Sequence, residues 1–285
     1  MVVDNTVSSE VGRDGETETV TANDDYSITP NIPTVTADKE FGDDWVVHGD
    51  TSTATITAGV QGDLDVASLT VTEPGTGQFD EAMTFEGFDS GIGYPAGADS
   101  ASITYTTSAG TFGPVDFADG AIPVLPDDGS TVLSFTVTFT DDDASGIAAG
   151  GDPATIPVII GTDPDDPAQQ SQIVNDVTVT GTTPEGVTDS AEADDSLYTY
   201  DEHLDALTTK SIAPSTIEGF PGEWIVMQLS GGTAGQPIDG NTDDPYSTVP
   251  ADQIVITDPV NPPDPFWDAF HPTQIVDVNI PRTRR

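Results

Sequence analysis

Asp141, Asp142 and Asp143 stand together at the end of an alternating run, within the stretch STVLSFTVTFTDDDASG from Ser130 to Gly146. Three adjacent carboxylates could hold a divalent cation, serve as a catalytic acid and base, or cap a hydrated turn. An EF-hand loop needs acids at alternate positions, a central glycine and a distal bidentate glutamate, and a calcium-binding β-helix needs a GGxGxD repeat; neither pattern is present. Consecutive side chains at a strand end also point to opposite sides, so three neighbours converge poorly on one ion. The cluster reads as a solvated hairpin end, with structural calcium, sodium or potassium at such acidic loops kept as the other outcome.

The remaining groups that could do chemistry are scattered. His48, His203 and His271 lie in unrelated contexts, without the HExxH or HxH spacing that holds zinc. There is no GxSxG elbow and no P-loop, and the glycines at 91, 93 and 97 are wrongly spaced for a dinucleotide turn. Paired carboxylates could serve a glycosidase, but among 50 acidic residues no pair stands out. No catalytic residue, cofactor or metal site is assigned, and the chain is expected not to be an enzyme.

Two features suit partners better than substrates. Arg282, Arg284 and Arg285 place three of the six basic residues in the last four positions, and a guanidinium fork pairs bidentately with carboxylates. Phe266, Trp267 and Phe270 sit in a proline-stiffened stretch, PPDPFWDAFHP from Pro262 to Pro272. Such aromatics either plug a β domain or anchor a partner.

The elements that must position these groups are strands. Short alternating or β-branched runs recur at Ala54–Ala58, Ala67–Thr72, Ala101–Thr107, Val132–Thr140, Thr155–Ile160 and Asp176–Thr180, separated by Pro, Gly and Asp turns. In the opening stretch Leu133, Phe135, Val137 and Phe139 share one face and threonines the other, as in a half-buried antiparallel strand. The expected fold is all-β, an antiparallel β-sandwich or jelly roll, in two β domains. Residues 1–40 read as an extended arm, 41–180 as a first sandwich beginning at Trp45-Val46-Val47, 181–195 as an acidic linker, and 196–285 as a second β domain with a basic tail. In that second domain Gly222–Leu229, Gln253–Thr257 and Gln274–Ile280 read as strands. Asp166–Val174 and Ser196–Thr208 carry the only helical patterns. A short similarity between the stretches starting at Leu69 and Ile254 raises the alternative of an internal duplication.

The charge is the strongest global signal: 50 acidic residues against 6 basic ones, a formal −44. Self-repulsion on that scale opposes a compact state in dilute buffer. At molar salt the Debye length falls to about 3 Å, and exposed carboxylates hardly sense one another. The composition fits a salt-saturated medium and excludes non-specific nucleic-acid binding by the acidic body. There are no cysteines. No N-x-S/T sequon occurs, and the N-terminal residues lack the apolar run of a signal peptide.

This style over the whole chain resembles the structural proteins of viruses that infect halophilic archaea: strands rich in Asp, Thr, Gly and Pro, almost no lysine, a polar N-terminal arm and a basic tail. The resemblance implies a capsid, decoration, turret or tail protein, located in the virion and partnered by its own copies and other virion proteins, without direct nucleic-acid binding. The alternatives are a halophilic cell-surface adhesion or carbohydrate-binding β-sandwich module and a tail-tube-type protein.

Overall fold

The computed structural model describes residues 2–27, 32–142, 145–219, 222–237, 244–258 and a few positions from 266 to 278. The chain is all-β and falls into two compact units, one ending at Glu202 and one beginning at His203. No helix among the described residues is long and apolar enough to cross a membrane.

The chain opens with a hairpin, β1 (Val2–Arg13) and β2 (Glu16–Ser27), where the sequence reading places an extended arm. The signal for it is the dipeptide Asp14-Gly15, whose φ values of 55° and 90° are those of the turn that matches strand twist.

The core of the first unit is a sandwich of two sheets. Its strands are β3 (Thr34–Phe41), β4 (Trp45–Val47), β5 (Thr51–Gln61), β6 (Ser68–Glu73), β7 (Met83–Phe88), β8 (Ser100–Thr107), β9 (Gly110–Phe117), β10 (Val132–Thr140), β11 (Ala154–Thr162), β12 (Gln170–Thr182) and β13 (Thr188–Tyr200). One sheet runs β4-β13-β12-β6-β10-β8-β9 and the other β3-β5-β11-β7. All pairings are antiparallel except β13 with β4. Period-two patterning explains the burial. Ala54, Ile56 and Ala58 of β5, Leu69 and Val71 of β6, and Val177 and Val179 of β12 are fully buried, each large aliphatic side chain contributing about 1.5–3 kcal/mol. Phe79, Phe85, Phe88, Tyr105 and Phe135 fill one part of the core, with ring centroids 5.2–6.5 Å apart.

β10 has the bounds its alternation predicts. Its register with β8 shifts between Val132 and Ser134, so Val132 rather than Leu133 joins Phe135, Val137 and Phe139 in the buried set.

Three sequence expectations fail here. The segment 181–195 is no linker: it is the turn and facing arms of the β12–β13 hairpin, paired from Gln170↔Tyr200 to Thr182↔Thr188. Its alanines mark the inner face, since Ala191 and Ala193 pack on the core between acids that face outward. Asp166–Val174 and Ser196–Thr208 are not helical but feed β12, β13 and β14, because pairing over the full hairpin outweighs weak local helix propensity. Gly181 permits β3 to close on this hairpin, as a Cβ there would lie 2.5 Å from Val35.

The strands among the described residues of the second unit form a mostly exposed hairpin, β14 (Ala206–Ala213) with β15 (Val226–Thr233), and Leu204 makes a single antiparallel bridge to Ser247 beside it. Ile254 to Ile256 are exposed and not in a strand, and the described positions from 274 to 278 are not in one either. The segment from Ile254 therefore does not repeat the β6 strand that begins the stretch at Leu69.

Candidate functional site

Lys39 is the residue that alternation puts in the wrong place. In TVTADKEF the parity that buries Val35 and Phe41 buries Lys39 with them. Asp189 and Asp195 of β13 hold the strand from the opposite sheet, accepting from the main-chain amides of Val35 (3.1 Å) and Phe41 (2.7 Å). These carboxylates occupy part of the edge of β3, which would otherwise invite a further strand.

Two more polar side chains occupy apolar parity. Glu73 follows Leu69 and Val71 on β6, and Asn175 stands between Ile173 and Val177 on β12, each fully buried. β6 and β12 are ladder neighbours, and beyond the ladder the Gly75 amide donates to the Asp176 carbonyl at 2.9 Å. Three strands from two sheets thus deliver an amine, a carboxyl group and a carboxamide into one sealed core.

Lys39 Nζ donates to Glu73 Oε1 at 2.5 Å, with neither side chain exposed. Burial pushes the lysine below its ordinary range and the glutamic acid above its own; their mutual attraction and hydrogen bond oppose both shifts only in part. The desolvated pair is driven toward a neutral amine beside a neutral carboxylic acid. Asn175 lies close enough to Glu73 to favour its ionised form, yet Asn175 Nδ2, Asn175 Oδ1 and Glu73 Oε2 find no hydrogen-bond partner of ordinary geometry among the described residues. Each such orphan costs about 1–3 kcal/mol.

The residues singled out from sequence are not gathered here. The Asp141 carboxylate accepts from the Gly146 amide and so caps its own loop, the Asp142 amide donates to Asp99 Oδ1 at 2.9 Å, and Asp143 lies outside the described residues. No group of three or more His, Asp or Glu side chains is positioned for a metal ion among the described residues. His48 Nε2 sits 3.0 Å from the Ala168 carbonyl. His203 contacts Asp205 at 3.1 Å, and that hydrogen bond is the main cause holding the Asp205 carboxyl below its usual range; His271 is outside the described residues. Phe266 stacks on Phe270 at 4.9 Å beneath Lys210, which forks to both oxygens of Asp258 at 2.9 Å. Trp267, Arg282, Arg284 and Arg285 are outside the described residues.

No family model matches this chain, and no curated protein does. Among solved structures it is similar to the major pilin subunit BcpA of Bacillus cereus in its D312A form, at 12% identity and TM-score 0.38 over 86% of this chain and 64% of that one. The full-length major pilin SpaD of Corynebacterium diphtheriae matches at 14% identity and TM-score 0.32, over 62% of this chain and 37% of that one. ACE19, the collagen-binding subdomain of an Enterococcus faecalis surface protein, matches at 8% identity and TM-score 0.27, over 61% of this chain and all of the subdomain.

Proposed function

We propose that the chain is a non-enzymatic structural β-domain protein that works at an outer surface in concentrated salt, holding an assembly together through its sandwich and its N-terminal hairpin. The observation that carries this reading is the β1–β2 hairpin. Every described side chain from Asp4 to Asp25 is exposed, including Val7, Val11 and Val20 at 61–66%. A two-stranded hairpin is marginal by itself in water, and apolar side chains along such a hairpin are satisfied when another chain covers them. The partner is a second copy or a neighbouring protein of the same assembly. The polar cluster inside the sandwich supports the same reading, since groups with no exposure cannot meet a dissolved substrate.

A cell-surface structural or adhesion module and a virion structural protein are two settings for this activity.

The test is removal of residues 1–33. The truncated chain should keep the strand signature of the sandwich at molar salt and lose self-association in analytical ultracentrifugation. Unchanged association after truncation would refute the assembly role of the hairpin. Fractionation of the native source between purified particles and cell envelope then separates the two settings.

A further inference from the structure

From the convergence of Lys39, Glu73 and Asn175 in one sealed core we infer that the chain closes a covalent amide between Lys39 Nζ and Asn175 Cγ, with Glu73 as the proton-transfer group. This is independent of whether the protein belongs to a cell surface or a virion.

The three side chains are fully buried, come from β3, β6 and β12, and lie where a core would ordinarily hold aliphatics. An amine is a nucleophile only in its free-base form, and burial favours that form here. A carboxylic acid can donate to a carbonyl oxygen and accept from an amine in turn, and burial favours the protonated acid. Neither polar atom of the carboxamide has a hydrogen-bond partner of ordinary geometry among the described residues, so its acyl carbon is not held back by a competing network. Glu73 touches the amine directly and lies beside the carboxamide, which is the placement a shared proton carrier needs.

The step balances without a co-reactant. Lys39 Nζ attacks Asn175 Cγ while Glu73 donates its proton to Oδ1. The tetrahedral adduct gives a proton from Nζ to the Glu73 carboxylate, which passes it to the departing Nδ2. The Nζ–Cγ bond forms, the Cγ–Nδ2 bond breaks and ammonia leaves. Glu73 then recovers the Oδ1 proton as the carbonyl re-forms, returning to its starting state. The product joins β3 in the four-stranded sheet to β12 in the seven-stranded one, so the bond locks the two layers of the sandwich together.

The full chain, purified at molar salt and then denatured, tests this by mass. The expected intact mass is lower than that of the sequence by one ammonia, about 17 Da. Trypsin on the denatured chain should cut after Arg13 and Lys210 but pass Lys39, leaving residues 14–210 as one piece. Cutting that piece further with a protease specific for acidic residues should leave the segment that carries Lys39 joined to the one that carries Asn175. Cyclisation of Asn175 to a succinimide would give the same mass loss but leave Lys39 cleavable, and that result overturns the proposal, as does an unaltered mass. The isosteric Glu73→Gln should restore the full mass and cleavage at Lys39. Asn175→Asp should lose water instead of ammonia, about 18 Da. A Glu73→Gln chain that still carries the bond would overturn the role given to Glu73.

Discussion

Replacing Asn175 by Ala separates the covalent account from its non-covalent rival by sign. Without a bond, the native Asn175 buries two polar atoms that have no partner of ordinary geometry among the described residues, and its removal relieves about 1–3 kcal/mol for each. The small cavity left behind returns part of that, so the variant should match or exceed the parent in stability. With a bond, the variant loses a closure between positions 39 and 175. A loop on the order of 140 residues restrains the unfolded chain by about 5 kcal/mol. Because Nδ2 has left as ammonia in the bonded state, only the Oδ1 orphan is relieved, and subtracting its roughly 1–3 kcal/mol leaves a net loss of roughly 2–4 kcal/mol. For a unit of this size that lowers the melting temperature by roughly 5–15 °C. Thermal unfolding followed by circular dichroism at molar potassium chloride measures the difference. A variant as stable as the parent, or more so, would refute the reasoning.

Salt and alkali give two further checks. Strand content should persist at molar salt and fall away near 0.1 M, since about 8–10 Å of screening length leaves neighbouring carboxylates in mutual repulsion; cooperative folding at low salt without divalent ions would sink the halophilic reading. Tyr105, fully buried, has its phenol pushed well above the ordinary range by desolvation. The folded state therefore holds this proton while the unfolded chain releases it near pH 10, so stability is full below that value and declines as pH rises beyond it. Tyrosinate absorbance should show Tyr105 ionising only as the fold is lost, and titration of all six tyrosines before unfolding would contradict this.

Legibility in the sequence followed the strength of alternation. Val132–Thr140 was readable to its bounds because bulky residues and threonines alternate without interruption. The β12–β13 hairpin was hidden because small alanines mark the inner face of β13 among acids, and Ala scores as neither strand nor core. The N-terminal hairpin hid behind polar side chains, although Asp14-Gly15 is a strong local turn signal. The buried cluster was visible in principle. Lys39 is one of two lysines, and Lys39, Glu73 and Asn175 each fall on the apolar parity of their strand. Treating every acid as a solvated one concealed it, because identity in a chain of 50 acids says less than phase within a strand. The aspartate run, by contrast, drew notice through identity, and its Asp141 carboxylate caps its own loop.

The central claim is that this protein's chemistry is spent once, inside its own core, to make a sandwich that resists being pulled apart. Single-molecule stretching from the two ends at molar salt tests it most directly. The account predicts that residues between 39 and 175 never extend, so the contour length gained on unfolding falls short of the full chain by about 450 Å, and that Glu73→Gln recovers the missing length. Full extension of the parent chain at forces that leave covalent bonds intact would contradict the account.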